Sequence, residues 1–158
     1  LGLADADIAR GLASYQALAH RMEPVGEKRG LLWVNDSKAT NPDSTAPALA
    51  AFDRIHWIAG GRPKLDAAGQ ADLSAVLPNL GHVAHAWLIG EAAPLFAPQL
   101  EGRVPVTQAG TLDAAVAGIV ASAAAGDVVL FSPAAASFDQ FRDFEARGAA
   151  FRAAVAAL

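Results

Sequence analysis

The chain has 158 residues, is 53% hydrophobic and carries a formal net charge of −4. That length gives one domain with a core large enough to need no staples, and the absence of cysteine removes both a disulfide framework and any thiolate metal site. Charges of both signs are interspersed without a basic patch, which argues against nucleic acid as a partner; no apolar run reaches the ~18 residues of a membrane span, and no signal-peptide pattern opens the sequence.

In chain order, Asp5 is placed to cap a helix with Ile8, Leu12, Tyr15 and Leu18 at near-helical spacing. Residues 22–25 and 31–34 read as strands, joined by the polar turn Gly26-Glu27-Lys28-Arg29-Gly30 as an antiparallel hairpin. Asn41 followed by Pro42 is a good helix start. Pro47 removes an interior donor, so the helix either begins near Thr45 or has irregular first turns. A strand over 55–59 ends in Gly60-Gly61, a short helix over 73–77 is closed by Pro78, and a strand over 83–89 ends in Gly90. Then come a helix over 92–100, a short strand over 104–106, a helix over 112–125 stopped by Gly126, and an apolar strand over 128–131. A long helix is expected from Ser137 to the C-terminus, with Phe138, Phe141, Phe144 and Phe151 along one broad face. Alternating strands and helices with continuously apolar strands imply an α/β fold. The expected form is a doubly wound, Rossmann-like, mostly parallel sheet of six strands with one antiparallel edge strand.

The richest segment is Asn35-Asp36-Ser37-Lys38-Ala39-Thr40-Asn41-Pro42. It follows a strand and precedes helix-start chemistry, so a carboxylate, a lysine and several hydroxyl and amide groups share one βα turn. Ligands of open α/β sheets bind at such turns, and a cation beside helix N–H groups suits an anion. On the residues alone, Lys38 and Thr40 also fit an ordinary polar loop, and Lys64 a solvated lysine. Gly60 and Gly61 let the backbone turn sharply, but Gly60-Gly61-Arg62-Pro63-Lys64 lacks the frame of a phosphate-binding Walker loop. Ser137-Phe138-Asp139-Gln140 reads as a capping box, which leaves the Ser137 hydroxyl as either a cap or a ligand for an anion. Phe144 alone reads as core and Arg21 as a surface residue at a helix end. His82 and His85, three apart on an expected strand, point to opposite faces, and His20 and His56 are isolated, so no metal site is assigned.

Taken together, N-D-S-K-A-T-N at 35–41, Gly60-Gly61-x-x-Lys64-x-Asp66, Ser132-Pro133-Ala134-x-Ala136-Ser137-x-Asp139-Gln140-Phe141, Phe144-Glu145-x-Arg147-Gly148 and the opening His20-Arg21-x-Glu23 resemble the C-terminal domain of the Mur ligase family. Within it they resemble the branch that adds D-glutamate to UDP-N-acetylmuramoyl-L-alanine. The resemblance covers nearly the whole chain. One departure is Ala135, where the family often has cysteine.

The resemblance implies an ATP-dependent amide ligase of peptidoglycan synthesis, and with it cell wall biogenesis, cell shape and the cell division cycle. It implies Lys38 near the reacting carboxyl and phosphates, as the catalytic residue of this domain. Thr40, Lys64, Ser137 and Phe144 would bind glutamate, and Arg21 and Asp36 would face the nucleotide. Lys38, Thr40, Lys64 and Ser137 are expected to converge at the carboxyl edge of the sheet. Residues 1–158 would form a single domain, the C-terminal, amino-acid-binding part of a longer bacterial cytoplasmic enzyme, an expectation that Leu1 in place of Met supports. UDP-binding and ATP-binding domains would lie elsewhere, and the central one would hold most of the ATP and Mg2+. The implied partners are D-glutamate, UDP-N-acetylmuramoyl-L-alanine and ATP, with no membrane or nucleic acid, in a monomer. By itself the chain is expected to have no ligase or ATPase activity. The alternative is a stand-alone doubly wound module that binds an anionic ligand or nucleotide without catalysis.

Overall fold

The computed structural model describes residues 18–158; the helix expected behind Asp5 falls on residues 1–17 and lies outside the described residues. The first hairpin is longer than its apolar pattern. β1 (Glu23–Lys28) pairs antiparallel with β2 (Leu31–Asn35), with a register shift between Pro24 and Gly26. Only Arg29 and Gly30 form the turn, both with positive φ (57° and 75°), the geometry that suits tight hairpins.

β2 then begins a parallel array with β3 (Ile55–Gly60), β4 (Val83–Ile89), β5 (Val106–Gly110) and β6 (Val128–Phe131). The order across the sheet is β1-β2-β6-β3-β4-β5, six strands with one antiparallel edge pair. This is the expected mixed sheet. The last strand inserts between β2 and β3, so the loops after β2, β6 and β3 are neighbours although they are far apart in sequence.

Side chains alternate between two cores, as strands buried on both faces require. Val34, Trp57, Leu88 and Leu130 face one layer. That layer is built from α1 (Pro42–Leu49), a 3₁₀ run (Ser74–His82) and α2 (Ala93–Leu100). Trp33, Ile58, Trp87, Val129 and Phe131 face the other layer, made by α3 (Leu112–Ser122) and α4 (Phe144–Ala156).

Four expectations are corrected. Pro78 does not close the 73–77 helix but lies inside the 3₁₀ run, whose looser bonding tolerates a missing donor. The strand expected over 104–106 is Val106–Gly110, because an edge strand with one solvated side accommodates Thr107 and Gln108. α3 ends at Ser122, before the expected 125, where the Ala124 N–H turns to Asp127 Oδ2 at 3.0 Å. The last helix begins at Phe144, capped by Asp143, which accepts from the Ala146 N–H at 2.7 Å. Residues 137–143 form an irregular strap instead, and Phe138 is exposed.

Phe151 is the center of the second layer, with ring centroids 6.0 Å from Trp33 and 4.9 Å from Phe131 and no exposed surface. Phe151→Ala is expected to lower the unfolding free energy by about 3–5 kcal/mol, read from urea denaturation. A loss under about 1 kcal/mol would mean the layer collapses to fill the gap.

Candidate functional site

The loops after β2, β6 and β3 are tied to one another by backbone bonds. Asp36 N–H donates to the Phe131 carbonyl at 2.8 Å, Ala134 N–H to Ala39 at 3.1 Å, and Gly60 N–H to Pro133 at 2.8 Å. Arg62 and Ala136 exchange a reciprocal pair at 2.8 and 2.9 Å, an isolated antiparallel bridge. Such close passage explains the glycines. A β-carbon on Gly60 would overlap the Ile89 carbonyl, and one on Gly61 the Ala136 carbonyl, while φ of 126° and 128° already suits glycine alone.

Through the center of these loops passes Arg147, from the second turn of α4. It is 1% exposed. Its Nε donates to Ser37 Oγ at 3.1 Å, Nη2 to the Ser37 carbonyl at 2.9 Å and Nη1 to the Ala135 carbonyl at 3.0 Å, with the Gly60 carbonyl at 3.5 Å. One planar guanidinium therefore spans all three loops. Burial lowers its pKa to about 10, and the charge of Asp139 offsets part of that. Arg147 carries no assigned role in the sequence reading. It stands in the F-E-x-R-G segment, but an arginine on an alanine-rich helix reads as solvated until its depth is known.

Asn35, also unassigned from sequence, holds the opening turn. Its Nδ2 lies 2.9 Å from His20 Nδ1, 3.2 Å from Glu23 Oε2 and 3.2 Å from the Gly148 carbonyl. The His20 N–H donates to Glu23 Oε2 at 2.9 Å, and the His20 carbonyl accepts from the Lys38 N–H at 3.0 Å. The His-Arg-x-Glu opening thus shapes a turn that presents Arg21 beside Asp36. His20 and Met22 take left-handed backbone angles (φ 62° and 44°) to do so.

Asp36 is 4% exposed. Its Oδ2 accepts from Ser132 Oγ at 2.7 Å and its Oδ1 from the Met22 N–H at 3.1 Å. Burial raises its pKa above the ordinary 3.8, against the lowering effect of Ser132, the Met22 N–H and Arg21. Both oxygens thus have partners inside the fold, and the carboxylate still borders a groove of about 490 Å³ lined by Arg21, Met22, Lys38, Ser44 and Pro47. Lys38 Nζ lies 5.6 Å from the centroid of the Phe144 ring, within cation–π range.

A second groove, of about 330 Å³, contains Lys64 with Asn41, Asp43, Asp66 and Asp72. Lys38 and Lys64 therefore line different grooves. Thr40 stands between them, one residue before Asn41, whose side chain caps α1 by accepting the Ser44 N–H at 2.9 Å. That resolves the start of the helix: it begins at Pro42 and keeps Pro47 inside.

Ser137 follows the Arg62–Ala136 bridge directly and is 2% exposed. Its carbonyl accepts from the Gln140 and Phe141 N–H groups at 3.2 and 2.9 Å, whereas its hydroxyl makes no hydrogen bond among the described residues. The capping-box expectation is corrected, because Asp143 caps the helix. All the expected site residues lie on loops at the carboxyl edge of the sheet or on the elements flanking it. The histidines are placed elsewhere: His56 Nε2 is 3.2 Å from Asp127 Oδ2, His82 Nδ1 is 2.7 Å from Asp53 Oδ1, and His85 Nε2 is 2.9 Å from Thr107 Oγ1.

The sequence matches the family of the Mur ligase glutamate ligase domain over residues 20–135. The chain belongs to the Mur ligase family. The UDP-N-acetylmuramoylalanine--D-glutamate ligase of Sphingopyxis alaskensis is 55% identical over 163 residues, covering 100% of this chain and 36% of that protein. Those of Novosphingobium aromaticivorans and Agrobacterium fabrum are 55% and 52% identical, again over 100% of this chain and 34% of each relative. The chain thus spans about a third of the length of the curated relatives it matches. Among solved structures, a murein peptide ligase of Psychrobacter arcticus superposes with a TM-score of 0.62 at 16% identity, over 94% of this chain and 32% of that one. A bifunctional folylpolyglutamate synthase/dihydrofolate synthase of Yersinia pestis gives 0.60 at 21% identity, over 97% and 35%. At such identities these two share the Mur-ligase domain's fold.

The raised pKa of Asp36 has a definite sign. In the window above 3.8 the folded state binds more protons at this group than the unfolded state, so its contribution to stability falls as pH rises through the folded value. Asp36→Asn loses one acceptor, a roughly constant cost, but escapes that fall. Its stability relative to the native chain is therefore expected to improve as pH climbs from below 3.8 toward neutrality. Denaturation midpoints across a pH series read this directly, and a flat difference would contradict the raised pKa.

Proposed function

We propose that this domain serves as the glutamate-binding and nucleotide-contacting part of a longer ATP-dependent ligase that adds D-glutamate to UDP-N-acetylmuramoyl-L-alanine in peptidoglycan synthesis. The observation that carries the reading is 52–55% identity, over the full chain, to relatives bearing that ligase name. The three joined loops support it, because they bring two cations and a free hydroxyl to one sheet edge.

The reaction so proposed has two steps. ATP phosphorylates the substrate carboxylate, releasing ADP. The amino nitrogen of glutamate then attacks the acyl phosphate, forming the amide and expelling phosphate. Bringing anionic partners together is the physical problem, and fixed cations and N–H groups answer it. In this reading Lys38 stabilizes the reacting carboxyl and phosphates, and Arg21 and Asp36 face the nucleotide across the larger groove. Lys64 pairs with a glutamate carboxylate, Thr40 hydrogen-bonds the same molecule, and Ser137 with Phe144 receives its other end. Among the described residues no three His, Asp or Glu side chains are grouped to hold a metal. In this reading Mg2+, with most of the ATP, would be held by another domain. The setting is the bacterial cytoplasm; no described helix is long and apolar enough to cross a membrane. A stand-alone binding module is not favored, since the relatives that cover this chain fully are named as ligases.

In the full-length ligase, Lys64→Ala is expected to raise KM for D-glutamate roughly tenfold to a hundredfold, the worth of a hydrogen bond to a charged group. Ser137→Ala is expected to impair glutamate use with little change in melting, because Asp143 caps the helix. Asp143→Ala is expected to do the reverse, costing ~1 kcal/mol of stability. D-Glutamate-dependent ADP release and thermal melts measure both effects. Unaltered glutamate kinetics in both Lys64→Ala and Ser137→Ala would overturn the assignment.

A further inference from the structure

The strap between β6 and α4 crosses the ends of three strands. It starts at the Arg62–Ala136 bridge beyond β3. It next meets the loop after β4, where Asp139 Oδ2 accepts the Glu91 N–H at 3.0 Å. It then reaches the end of β5, where Gln140 Nε2 donates to the Gly110 carbonyl at 2.7 Å. The fit at the middle anchor is tight, since a β-carbon on Gly90 would overlap Asp139 Oδ2. Gly90 also has a φ of 64°, which favors glycine.

Ser137 is joined to this anchor by a short turn closed through its own carbonyl, which accepts the Gln140 and Phe141 N–H groups. Any movement of Asp139 is therefore passed to Ser137 two residues away. The other carboxylate oxygen, Oδ1, is buried and makes no hydrogen bond among the described residues. A buried acceptor without a donor is a cost to the fold, so local stability alone is a poor reason for a carboxylate here. The negative charge is felt by Arg147, the cation that joins the three loops.

We propose that Asp139 is a positioning residue for the incoming amino acid: by accepting the Glu91 N–H it anchors the strap over β3–β5 and fixes where Ser137 meets the substrate carboxylate. The inference rests on the glutamate-binding reading above and goes beyond it by adding a residue that need not touch the ligand. What matters is an acceptor at Oδ2. Asparagine supplies one; alanine does not.

The test uses the full-length ligase, comparing native protein, Asp139→Ala and Asp139→Asn. The readouts are KM for D-glutamate, KM for ATP, kcat and melting temperature. Asp139→Ala is expected to raise KM for D-glutamate ~10-fold or more, with KM for ATP and kcat at saturating glutamate within ~3-fold of native. Asp139→Asn is expected to remain within ~3-fold of native in every parameter. The inference is overturned by an unchanged glutamate KM in Asp139→Ala, by equal defects in both variants, or by a fall in melting temperature with glutamate kinetics intact. If Asp139→Ala does not fold, Gln140→Ala, which cuts the exposed anchor at Gly110, decides: a selective rise in glutamate KM supports the strap and no rise overturns it. Native protein that releases no ADP in response to D-glutamate overturns the ligase reading itself, and this inference with it.

Discussion

The site depends on one buried cation. Arg147 meets no carboxylate at ion-pair distance among the described residues; its hydrogen bonds go to main-chain carbonyls and the Ser37 hydroxyl. A guanidinium with few partners would be expensive to bury. Here the fork geometry matches acceptors from separate loops, and the Phe131 ring lies 5.9 Å beneath it. Lysine offers a point charge and could not reach the same set in one plane. Even lowered to about 10, the pKa leaves the group charged at neutral pH. The loops after β2, β3 and β6 thus share a positive center under the surface at which Lys38 and Lys64 stand.

That arrangement also requires the strand order. A chain that wound steadily outward would separate its first and last βα loops by the width of the sheet. Inserting β6 between β2 and β3 places a loop near the C-terminus between two early ones. α4 then returns over the same region, so Arg147 and Phe144 reach loops more than a hundred residues earlier, Arg147 to Ser37 at a separation of 110. Ligand sites in open sheets lie where winding reverses, because only there do neighboring loops diverge and leave a crevice. Two grooves open at these loops, one on each side of the start of α1.

Much of this was legible in the residues. Continuous apolar runs located the strands, since strands buried on both faces carry no polar alternation. Asn41-Pro42 marked its helix because a cap and a fixed φ act locally. What failed depended on distant partners. Edge strand β5 lacks an apolar run, its outer side being wet. The depth of Arg147 follows from where α4 packs, and that follows from the strand order, which local spacing does not encode. Ser132 and Asp36 are partners across 96 residues, and Asn35 reaches the Gly148 carbonyl across 113. Ser37 and Phe144 are joined in the same way, hydroxyl to carbonyl at 2.8 Å.

The misread capping box shows how a global demand overrides a local one. Ser137-x-x-Gln140 has the chemistry of a helix start, and Phe138, Phe141 and Phe144 fit one helical face. Yet the chain must pass from the end of β3 at Ala136 to the end of β5 at Gln140. It does so through a single turn, in which the Ser137 carbonyl accepts the Gln140 and Phe141 N–H groups at 3.2 and 2.9 Å. The turn does not continue into a helix: Asp139 is engaged by the Glu91 N–H and Gln140 by the Gly110 carbonyl. The regular helix starts only at Phe144, where Asp143 supplies the cap. The Ser137 hydroxyl makes no hydrogen bond among the described residues, so tertiary anchors outweigh a local helix-start signal here.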